Sequence, residues 1–291
     1  MIMRPRALID TLEPEPQPAS LFLSRLPPEI RSHIYDHVFG YRHLHIFIYE
    51  QKLVCLVCQN PTAVDPDDHE ECIGMSMSRS KIPWSDDGIK RRAPSAPDKK
   101  RQHLSALLAV CRTMYLETVE SLYRTHTFHF SNIVSLTVFP REIIPRHRAL
   151  LHHLRIDLLL LGNASGTSHD ELYIFLHNSL SQKWTDWDEA SSSDAGGGGD
   201  TPWECAWGAV AELTSLHTLV VTIEISTPST GSSNLDMAAG LEKWLFEPLA
   251  KVTCNDFLLR VNWSAPPMTP DIDQAEPEYP FRVERFTSKS T

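Results

Sequence analysis

Hydrophobic residues fall into short periodic runs separated by polar stretches. Residues 1–20 hold four prolines and no periodicity, and read as a disordered leader. From Leu26 the pattern changes. Leu26, Ile30, Ile34 and Val38 recur every fourth residue, which predicts an amphipathic helix over about Pro27 to Phe39. Pro27 and Pro28 suit its first turn, Glu29 suits the positive end of its dipole, and Gly40 suits its close. Leu44–Tyr49 and Lys52–Cys58 then read as strands, rich in β-branched, aromatic and apolar residues. A second helix is expected from about His103 to Tyr123. Leu104, Leu107, Leu108, Cys111, Tyr115, Thr118 and Leu122 share one face, with Arg112, Glu117 and Glu120 on the far side. Thr127–Phe130 reads as a strand, followed by short helices over Asn132–Phe139 and Ile143–Leu151.

The second half repeats a strand–crossover rhythm. Strands are expected at Leu154–Leu160, Leu216–Ile225 and Phe257–Trp263, with helices at Trp203–Leu213 and Leu235–Val252 between them. Alternating strands and helices imply right-handed crossovers and a parallel sheet. The expected fold class is therefore α/β, a mixed α+β chain with a partly parallel sheet. One domain is expected over residues 21–265. Two mobile insertions interrupt it, at about 59–102 and 162–201, the second carrying the linker-like run Gly196–Gly199. Residues 266–291 read as a polar tail.

Composition narrows the function. Hydrophobic residues make up 42% and charged residues 22% of the 291 positions, ordinary values for a chain that buries a core. The net charge of -10 argues against nucleic-acid binding, which needs surplus Lys and Arg to neutralise phosphates. It argues equally against adsorption to an anionic membrane. No apolar run approaches the roughly 18 residues of a membrane span. No secretory h-region is evident, so the expected location is cytoplasm or nucleus, with reduced cysteines. The sequons at Asn163 and Asn262 then read as chance. Lys90-Arg91-Arg92 and Lys99-Lys100-Arg101 flank a six-residue spacer, a candidate import signal and otherwise a solvated loop.

Three segments together carry a resemblance. They are LPPEIRSHIYDHVFG over Leu26–Gly40, LLAVCRTMYLETVESLY over Leu107–Tyr123, and THTFHF over Thr125–Phe130, the last followed by Leu154-Arg155-Ile156. In this order they resemble a fungal F-box-like family that carries a domain of unknown function. The resemblance implies an F-box-like N-terminal helix. It also implies a partner, the F-box-binding adaptor of a cullin-type ubiquitin ligase. The candidate docking residues are Leu26, Pro27, Ile30, Ile34 and Val38. A full F-box continues as a compact run of about three helices, whereas here strand-like sequence and a long insertion follow.

The residues themselves leave two fates for that aliphatic stripe. It packs on the helix that holds Cys111 and Tyr115 and is core, the first expectation because amphipathic helices owe their stability to packing. Otherwise it stays bare and marks an interface.

Catalytic signatures are missing. There is no G-x-S-x-G elbow, no phosphate-binding loop and no dinucleotide fingerprint. The fourteen histidines are scattered, without an H-E-x-x-H pattern. Cys111, on an apolar helix face, reads as a buried thiol. The sharpest metal pattern is Cys55-x2-Cys58 followed by His69-x2-Cys72, whose paired spacings suit tetrahedral zinc. Against it, the odd spacing points Cys55 and Cys58 to opposite faces of a strand. The expectation is a protein–protein interaction module with no cofactor and no enzymatic activity. A scaffold of the same fold, with the aliphatic stripe fully buried, and a small zinc protein are the alternatives.

Overall fold

The computed structural model describes residues 15–40, 43–49, 52–58, 110–161, 201–226, 239–264 and 279–286. The insertions, the basic tract Lys90–Arg101 and all but the last six residues of the leader lie outside these, apart from Thr201. The described helices are α1 (Leu21–Arg25), α2 (Pro28–Phe39), α3 (Arg112–Thr125), α4 (Ile133–Glu142), α5 (Pro145–Arg148), α6 (Pro202–Ala211) and α7 (Ala239–Leu249). The strands are β1 (His43–Tyr49), β2 (Lys52–Val57), β3 (Thr127–Phe130), β4 (His153–Leu161), β5 (Thr218–Ser226), β6 (Asp256–Val261) and β7 (Arg282–Arg285). They hydrogen-bond in the order β2-β1-β3-β4-β5-β6-β7, a mostly parallel sheet, so the expected mixed α+β class stands.

The chain divides into two compact units. One comprises residues 1–45, 49–128 and 143–153; the other comprises 46–48, 129–142 and 154–291. In the first, α2 runs from Pro28 at its opening turn to Gly40, whose φ of 61° is a conformation that favours glycine. The Cys58 amide donates to the His43 carbonyl at 2.8 Å, closing β1 and β2 as a hairpin. Tyr35, Phe39, Leu44, Val119, Phe128 and Leu151 are buried here.

The second unit is built on β5, β6 and β7. β5 pairs β6 in parallel from Thr218↔Asp256 to Ile223↔Val261, and β6 pairs β7 in parallel from Leu258↔Arg282 to Val261↔Arg285. Leu219, Val221, Ile223, Leu259 and Val261 are fully buried, as the apolar runs of a covered parallel sheet should be. α6 starts from a capping box: Thr201 Oγ1 accepts from the Glu204 amide, and the Glu204 carboxylate accepts from the Thr201 amide at 2.7 Å. Thr201 is thus the helix cap and not the end of a loop. Trp203 and Trp207 follow on α6, edge to face at 5.5 Å and completely buried, and Trp203 Nε1 donates to the Leu245 carbonyl.

Four expectations need correction. The helix expected from His103 does not run through Cys111: that residue has an extended backbone (φ -157°, ψ 167°) and serves as the N-cap of α3. Its place in a continuous apolar stripe with Tyr115 therefore fails. The helix expected to Leu151 is only the single turn of α5. The supposed polar tail contains β7, whose alternating Arg282-Val283-Glu284-Arg285 hid a strand behind its charge. The fourth concerns which faces of α2 and α3 meet.

Candidate docking surface

Two stripes, offset by one residue, run along α2. Ile30, Ile34 and Val38 form the aliphatic one; Arg31, Tyr35 and Phe39 form the other. The structure buries the second and leaves the first 47%, 36% and 48% exposed. The expectation that the aliphatic stripe is core is overturned, and so is the full burial that the scaffold alternative requires.

The cause lies on α3. Glu117 faces α2 instead of solvent, against the expectation that it occupies the far face. Its carboxylate takes a two-point fork from Arg31, Nε to Oε2 at 3.0 Å and Nη2 to Oε1, and a third bond from the Tyr35 hydroxyl at 2.9 Å. The remaining Arg31 Nη1 donates to the Leu23 and Leu26 carbonyls at 3.2 and 2.6 Å, which ties in α1. Ser121 adds a bond to Asp36. Burial pushes the Glu117 carboxyl up, but the bonds from Arg31 and Tyr35 outweigh it and hold the group below its ordinary range. Arg31 and Tyr35 bury long stems and rings whose polar tips are satisfied. Aliphatic side chains on the neighbouring face have no such anchor. Phe22 packs beside Tyr35 at 5.9 Å, and Phe39 meets His126 edge-on at 6.3 Å.

The other candidate residues fall as follows. Leu26 is half-buried and caps the C-terminus of α1; Pro27 is exposed and is the N-cap of α2. Cys55 is exposed and Cys58 buried, while His69 and Cys72 lie outside the described residues. Among the described residues no group of three or more His, Cys, Asp or Glu is placed to hold a metal ion. Asn262, nominally in a sequon, is buried. Its amide accepts from the Ile225 N–H at 2.9 Å and donates to the Ile225 carbonyl at 3.0 Å, imitating a ladder rung. Asn163 is not among the described residues.

One polar cluster escaped the sequence reading. On β4, Arg155 Nε donates to Asp157 Oδ2 at 2.8 Å, and His129 Nε2 on β3 lies 2.8 Å from the same oxygen. Burial alone would raise the Asp157 carboxyl. Its neighbours His129 and Arg155, with the Thr222 hydroxyl, reverse this and hold it far below the usual carboxylate range. The opposite charges two residues apart inside an apolar strand were the available signal. All three side chains are buried, and the shared Asp157 oxygen makes the cluster a brace within the sheet.

Fold and site define a mixed α+β protein whose N-terminal helix is anchored on one face and bare on the other. The chain belongs to the DUF7730 family, a domain of unknown function, which matches residues 15–282. No curated protein and no solved structure matches it. Among the described residues no helix is long and apolar enough to cross a membrane.

Proposed function

We propose that this chain is a protein–protein interaction module that acts by binding, not catalysis, and that α2 is its docking element. One observation carries this reading: Ile30, Ile34 and Val38 stay about half exposed on a helix that is firmly held from behind. An aliphatic row at i, i+4 and i+8 is what a helix-binding groove reads. For the partner we propose the F-box-binding adaptor of a cullin-type ubiquitin ligase, since Leu26–Gly40 resembles the opening of an F-box. Such a partner places the protein in cytoplasm or nucleus. Only one helix is offered, where a full F-box offers about three, so the expected affinity is modest.

The test is a titration of purified adaptor against the full chain by calorimetry, with wild type and an Ile30→Asp, Ile34→Asp double variant. Two carboxylates forced into an apolar groove should weaken binding at least tenfold, or about 1.4 kcal/mol. Circular dichroism should show the variant folded, because neither side chain supports α2 from behind. A wild type that fails to bind the adaptor sinks the partner assignment. Equal binding by the variant sinks the helix.

A further inference from the structure

We propose that His33 and His37 chelate a late first-row divalent transition-metal ion, Cu2+ ahead of Zn2+. The inference goes beyond the docking reading and does not rest on it. The two residues sit one turn apart on α2 and both are exposed. At that spacing the Cβ atoms lie about 5–6 Å apart, so two imidazole nitrogens can each reach one ion at roughly 2.0–2.1 Å. Imidazole suits these ions, and the divalent series places Cu2+ above Zn2+ for a given nitrogen site.

Three features make the pair more than a coincidence of spacing. Neither imidazole takes part in a hydrogen bond, ion pair or ring contact among the described residues, so none of these competes with a metal. The residues between and beside them, Arg31, Tyr35 and Asp36, are pinned to Glu117 and Ser121. The turn joining the histidines is therefore already ordered, which removes part of the entropy cost of chelation. Glu29 lies one turn before His33 on the same row and is exposed, so its carboxylate adds a field that favours a cation. With no third ligand among the described residues, water completes the coordination, and the ion exchanges freely.

The test is calorimetric titration of CuCl2, then ZnCl2, into the metal-free full chain. Wild type should show a binding event that is tighter for Cu2+ than for Zn2+ and that needs both histidines. His33→Ala and His37→Ala should each weaken that event at least about tenfold, because the second imidazole acts as an intramolecular ligand. Two rescue variants test the geometry, since either places a new imidazole on an exposed position. Glu29→His combined with His37→Ala restores an i, i+4 pair with His33 and should restore binding. Val38→His combined with His37→Ala puts the imidazole at i+5, off the row, and should not. The proposal fails if wild type shows no such event, if either single variant binds as wild type does, or if both rescue variants restore it equally.

Discussion

Replacing Asp157 by alanine should destabilise the second unit by about 3 kcal/mol, the cost of removing one member of a buried charged network. Arg155 would keep its guanidinium beside an empty position, and His129 would lose the oxygen 2.8 Å from its ring. Chemical denaturation read by tryptophan fluorescence suits the measurement, because Trp203, Trp207 and Trp263 are all buried in this unit. The pH dependence supplies a second check. The folded-state pKa of Asp157 lies below its unfolded value, so its contribution is fully present above about pH 4 and is lost as the pH falls further. The gap between wild type and Asp157→Ala should narrow on acidification below that point. A loss under about 1 kcal/mol at neutral pH would mean that Arg155 finds another partner and that the brace is dispensable.

Glu117→Ala should cost the first unit about 3 kcal/mol, toward the lower end for a broken buried pair because Glu117 is a quarter exposed. Arg31 loses its fork and Tyr35 its acceptor in one step. Glu117→Gln, which still accepts from Tyr35, should lose less. The Glu117 carboxyl is also held below its ordinary range, so this contribution too disappears as the pH falls through the carboxylate range. Thermal unfolding of the three proteins, set beside Ile30→Asp, separates the two faces of α2. The bare face should change stability by no more than about 0.5 kcal/mol. If Ile30→Asp unfolds the unit as readily as Glu117→Ala, the exposed stripe is structural and the docking reading falls with it.

Much of the fold is legible in the residues. Pro27, Pro28 and Gly40 mark the ends of α2 because a proline's missing N–H and a glycine's positive φ are properties of single positions. The apolar run over β5 announces a covered strand for the same local reason. What periodicity cannot decide is which of two adjacent stripes turns inward. Ile30, Ile34 and Val38 win on hydrophobicity alone. Arg31, Tyr35 and Phe39 win in the structure because Glu117, 86 positions away from Arg31, supplies an acceptor for the polar tips of Arg31 and Tyr35. Asp157 was hidden likewise, since its partner His129 lies on a different strand. Cys111 obeyed the helical spacing and still fell outside the helix, because it caps α3 with an extended backbone and no side-chain cap bond that a sequence could reveal.

β7 bears on where this protein can be cut for expression. The family match stops at residue 282, the first position of that strand. A fragment trimmed there keeps Phe281 against Phe257, at 4.8 Å, but discards Arg285. Arg285 grips both oxygens of Glu242 at 3.0 and 3.1 Å, the same carboxylate that accepts from the Trp263 indole at 2.8 Å. Such a fragment would expose the flank of β6 and leave a buried carboxylate with one of its three hydrogen bonds, a recipe for a sticky, poorly soluble product. A useful boundary lies beyond Phe286, whose amide still bonds to the Val261 carbonyl and whose ring lies under the Arg260 guanidinium.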